Sequence, residues 1–176
     1  MIINELFENE IIKHGDYTLK SNQKTNIYID LKKIVSYPKL NLKICNKIRD
    51  IINSELNIIC GTPYGAVPFA SYISIKNEIP MIFLRKEAKN YGTKKLIEGN
   101  FSKGDTVILI EDVVTSGQSV IDTATKLEEH GLIVKQIITV FSRSNNKNLT
   151  YKNIPIEYLF HIDDIDIKYC KSLSII

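Results

Sequence analysis

The chain has 176 residues, of which 44% are hydrophobic and 24% charged, so it is long enough for one globular domain with a full core. Its formal net charge of +3 is too small to indicate a nucleic-acid-binding surface. No run approaches the roughly 20 apolar residues of a membrane helix, and the acidic N-terminus lacks the basic start of a signal peptide. Three widely spaced cysteines are typical of reduced thiols and offer no zinc-site spacing. We therefore expect a cytoplasmic protein that binds neither membrane nor nucleic acid and holds no metal through its own side chains.

Apolar periodicity predicts helices and strands that alternate along the chain. Helices are predicted at 1–13, 38–54, 66–76 and 119–130, with a short one ending near residue 170. Strands are predicted at 26–31, 57–60, 81–84, 106–110, 134–141 and 156–160, and the polar stretch 85–100 is predicted to be a loop. This alternation indicates an α/β fold in which helices cover both faces of a mainly parallel central sheet. Residues 1–176 are interpreted as a single domain.

Residues 107–119 are the most informative segment, because they join a predicted buried strand to a helix through chemically distinctive residues. Glu111 and Asp112 follow the strand, and the small-residue turn 115–117 opens the helix. Ligands of α/β sheets bind at the carboxyl ends of strands, and free N–H groups at a helix start suit phosphate. Carboxylates suit sugar hydroxyls or hydrated Mg²⁺ instead. The segment therefore indicates a phosphorylated ribose, the alternative being an ordinary strand–turn–helix unit with a solvated acidic pair.

This segment resembles the motif that binds 5-phosphoribosyl 1-diphosphate (PRPP) in type I phosphoribosyltransferases. Three other segments resemble orotate phosphoribosyltransferases and occur in the family's order. Residues 14–35 carry a Thr-Leu-Lys-Ser turn and a strand ending in Asp-Leu, residues 61–68 resemble the pyrophosphate loop, and residues 84–99 resemble the catalytic loop of eukaryotic bifunctional UMP synthases. The resemblance implies the type I phosphoribosyltransferase fold, with residues 1–35 as a small hood and 36–176 as the core.

The reaction implied by the resemblance converts orotate and PRPP to orotidine 5′-phosphate and pyrophosphate, in de novo UMP biosynthesis. The implied cofactor is Mg²⁺, which PRPP oxygens hold for the most part. Relatives are two-fold dimers in which the catalytic loop covers the neighbour's site, so the resemblance implies a homodimer with shared active sites. The likeness of the loop to UMP synthases also makes a separate orotidylate decarboxylase a candidate partner.

The resemblance also assigns residues to PRPP, and two of them, Lys89 and Asp112, are assigned to catalysis. A lysine on a flexible loop can reach the pyrophosphate oxygens after substrate binding and exclude water as the loop closes. Asp112 shares the ribose hydroxyls with its acidic neighbour. The full PRPP-binding set is Lys20, Tyr64, Gly65, Arg85, Lys86, Lys89, Tyr91, Glu111, Asp112, Val113, Val114, Thr115, Ser116, Gly117, Gln118 and Ser119.

For orotate, the resemblance implies contacts from Lys20, Tyr28, Ile29, Thr115 and Arg143. Arg143 is expected to bind the orotate carboxylate through both arms of its guanidinium, the alternative being a surface arginine at a strand end. Tyr28 and Ile29 match the pair that covers the orotate ring.

Three positions depart from common family residues. Gly65 stands where many bacterial relatives have lysine, Ile29 where an aromatic pair is common, and Tyr91 where many have histidine. Gly65 removes a possible cation from the pyrophosphate loop, and Ile29 removes one stacking surface, worth about 1 kcal/mol.

Two other functions are weighed against this one. A phosphoribosyltransferase for another base would share the fold but would not explain the Thr-Leu-Lys-Ser segment or the position of Arg143. A PRPP-binding regulatory protein would keep the fold without catalysis, yet such a protein can lose the loop cation, and Lys89 is present. Turnover of orotate with PRPP and Mg²⁺ separates all three.

Overall fold

The computed structural model describes residues 1–18, 24–53, 55, 57–85 and 96–165. Within these residues the helices and strands alternate over most of the chain. In chain order they are α1 (Ile2–Glu8), β1 (Ile12–Thr18), β2 (Lys24–Ile29), a 3₁₀ helix (Leu31–Ser36), α2 (Pro38–Ile51), β3 (Ile58–Gly61), α3 (Val67–Asn77), β4 (Met81–Leu84), β5 (Ile97–Glu98), β6 (Thr106–Val114), α4 (Gln118–Glu129), β7 (Ile133–Ser142), β8 (Thr150–Tyr151), β9 (Ile154–His161) and a second 3₁₀ helix (Ile162–Asp164).

The larger of two sheets in the described residues has seven strands in the order β5-β4-β3-β6-β7-β9-β8. The five inner strands pair in parallel, and the short edge strands β5 and β8 pair antiparallel to their neighbours. Parallel neighbours require crossover connections, and α3 supplies one between β3 and β4 while α4 supplies one between β6 and β7. The predicted α/β fold with a mainly parallel sheet is confirmed.

Side chains of the inner strands alternate between two hydrophobic clusters, one on each face of the sheet. Ile108 and Ile110 of β6 face a cluster that includes α1, α2 and α3. Val107 and Leu109 face the other cluster, to which α4 contributes Val120, Ala124 and Leu127. Both faces of the sheet are therefore covered by helices. None of the helices in the described residues is long and apolar enough to cross a membrane.

Strand β6 is longer than predicted, and this changes where the acidic pair lies. The prediction ended the strand at Ile110, whereas β6 continues through both acids to Val114. Its pairing with β3 stops at Ile110, but its pairing with β7 continues to Val114 and Ser142. The acids therefore belong to the strand, and they border an open edge only on the side where β3 has already ended.

Other boundaries also differ from the predictions. Helix α1 ends at Glu8 rather than at residue 13, because the chain reverses with a left-handed φ of 53° at Glu10 and enters β1. Strands β1, β5 and β8 were not predicted, since they are short or polar. In α2 the side chains of Leu40 and Ile44 are buried, whereas that of Leu42 is 40% exposed. The helix predicted to end near residue 170 lies mostly outside the described residues.

The second sheet is the antiparallel hairpin β1–β2 in the N-terminal part of the chain. Its strands alternate between exposed and less exposed side chains. Ile27 and Ile29 on β2 belong to the same buried cluster as Leu6 of α1 and Ile44 of α2. The hairpin is therefore attached to the core by apolar packing on one face, and its other face is open to solvent.

Candidate active site

The turn between β6 and α4 forms a small cavity at the carboxyl end of the sheet. Gly117 has a φ of 83°, a conformation that glycine adopts without strain, and it precedes the 12-residue helix α4. The first N–H groups of a helix have no partners within that helix, so they can bind an anion. The cavity measures about 180 Å³ and is lined by Glu111, Val113, Val114, Thr115, Ser116, Gly117, Gln118, Ser119 and Val120.

The two adjacent acids at this cavity have different surroundings. Glu111 is only 4% exposed, and its Oε1 accepts hydrogen bonds from Thr62 Oγ1 at 2.5 Å and from the Asp112 backbone N–H at 2.9 Å. The Asp112 side chain is 13% exposed, and its Oδ2 lies 3.9 Å from Nζ of the exposed Lys32. Asp112 is therefore the more accessible of the two carboxylates, and Glu111 joins β6 to the residue that follows β3. Thr62 was not predicted as a site residue.

The buried position of Glu111 changes its protonation. Burial, together with the neighbouring Asp112 side chain, raises the pKa of Glu111 from 4.5 to about 8, although the hydrogen bond from Thr62 opposes the shift. Because the folded-state pKa lies above the unfolded-state value, the folded chain binds more protons than the unfolded chain between these two values. The free energy of unfolding contributed by this group therefore decreases as pH rises through that window.

Glu111→Gln is expected to remove this pH dependence, because the amide occupies a similar volume and does not titrate. Urea unfolding at about pH 5 and about pH 8 measures the effect. The wild-type chain should lose more stability over this interval than Glu111→Gln does. Equal losses in the two proteins would contradict the raised pKa.

The loop after β3 packs directly against Asp112. Gly65 is buried, and a Cβ atom at this position would overlap the Asp112 carboxylate: Oδ1 would lie 2.9 Å away and Oδ2 closer still. The Thr62 N–H donates to the Ile110 carbonyl at 2.9 Å, which fixes the start of the same loop on β6. Tyr64 is 55% exposed. The predicted pyrophosphate loop and the acidic pair are thus in contact, and the glycine at position 65 makes this contact sterically possible.

Arg143 follows β7 and is held between the core and the N-terminal hairpin. Its backbone N–H donates to the Val114 carbonyl at 2.8 Å, which places it beside the turn that begins at Thr115. Its side chain is half-buried, and Nη2 donates to Thr25 Oγ1 at 2.9 Å and to the Ile27 carbonyl at 3.0 Å. Burial lowers the pKa of Arg143, but an arginine remains charged in proteins.

Arg143 differs from the other two arginines in its lack of a carboxylate partner among the described residues. Arg85 Nε lies 2.7 Å from Glu98 Oε1, and Arg49 Nη2 lies 3.3 Å from Asp50 Oδ1. A half-buried guanidinium without a carboxylate partner is suited to an anionic ligand, because a charge removed from water requires a counter-charge or hydrogen-bond acceptors. Arg85, predicted to contact PRPP, forms an ion pair with Glu98.

The hairpin residues predicted to cover orotate point to opposite faces of β2. Tyr28 is 41% exposed and stacks on Tyr17, with ring centroids 5.1 Å apart. Ile29 is 8% exposed and packs in the core cluster, which leaves little of its surface for a ligand. The alternation of a strand explains the difference, since neighbouring side chains cannot share a face. A cavity of about 680 Å³ beside the hairpin is lined by Asp16, Tyr17, Thr18, Lys24, Thr25 and Asn26.

Several predicted site residues cannot be placed. Lys20, Lys86, Lys89 and Tyr91 lie outside the described residues. Apart from Arg85, the remaining candidates form two groups: the acidic pair with its turn and the loop after β3, and Arg143 with the hairpin. The hydrogen bond from Arg143 to Val114 connects these two groups. Within the described residues, no group of three or more His, Cys, Asp or Glu side chains could hold a metal ion.

Known proteins resemble this chain in both sequence and fold. The family model for the phosphoribosyl transferase domain matches residues 33–166. The orotate phosphoribosyltransferase of Methanocaldococcus jannaschii is 34% identical over 166 residues, which cover 93% of this chain and 94% of that protein. The uridine 5′-monophosphate synthase of Bos taurus is 40% identical over 149 residues, which cover 81% of this chain but only 30% of that protein.

The solved structure of Leishmania donovani UMP synthase superposes with a TM-score of 0.85 at 30% sequence identity. The match covers 99% of this chain and 39% of that protein. The chain thus spans less than half the length of these two synthases, but nearly the full length of the archaeal relative.

Proposed function

The chain belongs to the phosphoribosyl transferase family, and from this premise we propose that it transfers the phosphoribosyl group of PRPP to orotate, giving orotidine 5′-phosphate and pyrophosphate. The names of the relatives support this choice of substrate, since the proteins that match over most of this chain include orotate phosphoribosyltransferases and UMP synthases. The reaction belongs to pyrimidine biosynthesis.

The observation that carries the proposal is the position of Arg143. Its backbone is tied to Val114 beside the phosphate-binding turn, and its guanidinium has no carboxylate partner in the described part of the chain. An arginine and a carboxylate form a short, charge-assisted hydrogen-bonded pair. Orotate carries a carboxylate, whereas uracil and the purine bases do not, so those bases would leave the half-buried charge of Arg143 without a counter-charge.

The proposed mechanism begins with PRPP bound across the end of the sheet. The 5′-phosphate binds the N–H groups and hydroxyls of residues 115–119, and Asp112 accepts hydrogen bonds from the ribose hydroxyls. The pyrophosphate lies along the backbone of the loop that contains Tyr64 and Gly65. Arg143 holds orotate so that its ring nitrogen faces C1 of the ribose. Alignment of the two substrates supplies a large part of the catalysis, because no enzyme nucleophile is required.

As the bond between C1 of the ribose and the pyrophosphate oxygen breaks, positive charge develops on the ribose and negative charge on the departing pyrophosphate. Lys89 approaches the pyrophosphate as the catalytic loop closes and stabilises that charge. The half-buried carboxylate of Asp112 is a hard oxygen donor that suits Mg²⁺ or its bound water, so the residues present fit a Mg²⁺ ion held mainly by PRPP. When bound, Mg²⁺ supplies positive charge beside the leaving group.

We also propose that the chain assembles as a homodimer. The enzyme acts in the cytoplasm as a homodimer in which the catalytic loop of each subunit covers the active site of its partner. An orotidylate decarboxylase is the proposed partner protein, because the relatives that this chain matches include the longer UMP synthases and a bifunctional enzyme from Nostoc. That partner would consume the product directly.

Arg143→Lys tests the proposed substrate. The variant keeps the positive charge but loses the planar fork, so the KM for orotate is expected to rise about tenfold or more while the KM for PRPP stays near the wild-type value. Steady-state kinetics with each substrate varied in turn measures both constants. Similar increases in both would indicate that Arg143 supports the phosphate site or the fold, and would contradict its assignment to orotate.

A further inference from the structure

We propose that Thr25 is a positioning residue for substrate recognition, whose hydroxyl holds the Arg143 guanidinium in the orientation that receives the orotate carboxylate. The inference rests on the proposed function and adds a residue of the N-terminal hairpin that does not itself contact the orotate carboxylate. Thr25 lies on β2, 118 residues before Arg143 in the chain.

The hydroxyl of Thr25 is engaged in a compact set of hydrogen bonds. Oγ1 accepts from Arg143 Nη2 at 2.9 Å and from the Ile27 N–H at 3.3 Å, and it is placed to donate to the Ile27 carbonyl at 3.2 Å. A hydroxyl has one proton and two lone pairs, so these three bonds use its full capacity. The side chain is therefore held in one rotamer, with its oxygen directed at Arg143.

The contacts of Arg143 leave most of its guanidinium available. In the described part of the chain, its side-chain hydrogen bonds involve only Nη2, which donates to Thr25 and to the Ile27 carbonyl. A planar guanidinium offers five N–H donors, so three of them, one on Nε and two on Nη1, remain to donate to a carboxylate oxygen. Two acceptors on one nitrogen fix the plane of the whole group. Without them, a long side chain anchored only at its backbone would sample several orientations and lose entropy on binding orotate.

The two hydrogen bonds donated by Arg143 Nη2 differ in how they can be tested. The Ile27 acceptor is a backbone carbonyl that no substitution removes, whereas the Thr25 acceptor is a side chain. Valine has nearly the same shape as threonine and retains the β-branch that favours a strand, so Thr25→Val removes the hydroxyl with little other change. Thr25→Ser removes the methyl group and keeps the hydroxyl.

The experiment compares these two variants in steady-state kinetics with orotate and PRPP. Thr25→Val is expected to raise the KM for orotate about tenfold, with the KM for PRPP within about twofold of wild type, as for loss of a hydrogen bond to a charged group. Thr25→Ser should restore the orotate KM to near the wild-type value. Thr150→Val, which makes the same change at an exposed position of β8, should leave both constants unchanged.

Thermal unfolding of each variant is measured beside the kinetics. Damage to the hairpin alone would lower stability without raising the KM for orotate more than the KM for PRPP. A Thr25→Val enzyme with a wild-type orotate KM, or a Thr25→Ser enzyme as impaired as Thr25→Val, would overturn the role of Thr25 and leave the proposed function standing. Absence of orotate turnover by the wild-type enzyme would overturn the proposed function itself, and this inference with it.

Discussion

Gly65→Ala is expected to raise the KM for PRPP about tenfold to a hundredfold, although it adds only a single methyl group. The new Cβ atom would overlap the Asp112 carboxylate, which must then move away from the proposed ribose site. Backbone strain does not contribute, because Gly65 is not one of the described glycines with a positive φ. Steady-state kinetics with PRPP varied measures the effect.

The same substitution should also lower the free energy of unfolding by about 1–3 kcal/mol, as overpacking of a buried site commonly does. Removing the Asp112 side chain supplies the control. In an Asp112→Ala background, Gly65→Ala is expected to have little effect on stability, because the overlapping atoms are gone. An equal loss of stability with and without the Asp112 side chain would show that the Asp112 contact is not the cause.

Lys89→Ala is expected to lower kcat about a hundredfold or more, with a much smaller change in the KM for PRPP. In the proposed mechanism the lysine acts as pyrophosphate departs, so its loss would remove an interaction formed in the transition state rather than in the bound ground state. Near-normal turnover would remove Lys89 from its catalytic assignment.

A mixture of two inactive variants tests whether the active site is shared between the two subunits. If Lys89 acts on the partner's site, a dimer of one Lys89→Ala and one Asp112→Asn subunit has one site with both defects and one intact site. Random pairing in equal amounts gives mixed dimers in half of all cases, so activity should return to about a quarter of wild type. Activity that stays at the background of the single variants, with mixed dimers confirmed by mass, would contradict a shared site.

Much of the fold is visible in the sequence because its inner elements have clear periodicity. The prediction of α4 at 119–130 differs by one residue at each end from the observed Gln118–Glu129, since apolar spacing and Gly131 define the helix. Strands β1 and β5 were missed for a physical reason. The first is mostly polar and only partly buried, and the second has two residues that become a strand only through pairing with β4. Tertiary contacts, not local sequence, create these elements.

The site could be predicted in part, because its residues cluster in a few segments. The sequence places Glu111, Asp112 and the turn together, but it treats the two acids as equivalent. Neighbouring side chains on a strand point in opposite directions, so their surroundings differ once β6 is seen to include both. Thr62 and Thr25 were not assigned, since each forms a hydrogen bond with a residue distant in the chain. Such contacts require the fold.

The departure at Gly65 also acquires a physical interpretation. From sequence alone, a glycine in place of lysine was a lost cation in the pyrophosphate loop. In the structure the space beside the Gly65 backbone is filled by the Asp112 carboxylate. A side chain cannot be added there without moving an acid of the site, so the loop and the acidic pair have to be considered as one unit.

The central claim is that this chain transfers the phosphoribosyl group of PRPP to orotate. The most direct test is the rate at which the purified chain forms orotidine 5′-phosphate and pyrophosphate from orotate, PRPP and Mg²⁺, beside reactions that contain uracil or adenine instead of orotate. We predict turnover with orotate, loss of that turnover when a chelator removes Mg²⁺, and far lower turnover with either base that lacks a carboxylate. Faster transfer to uracil or adenine than to orotate, or PRPP binding without any transfer, would contradict the claim.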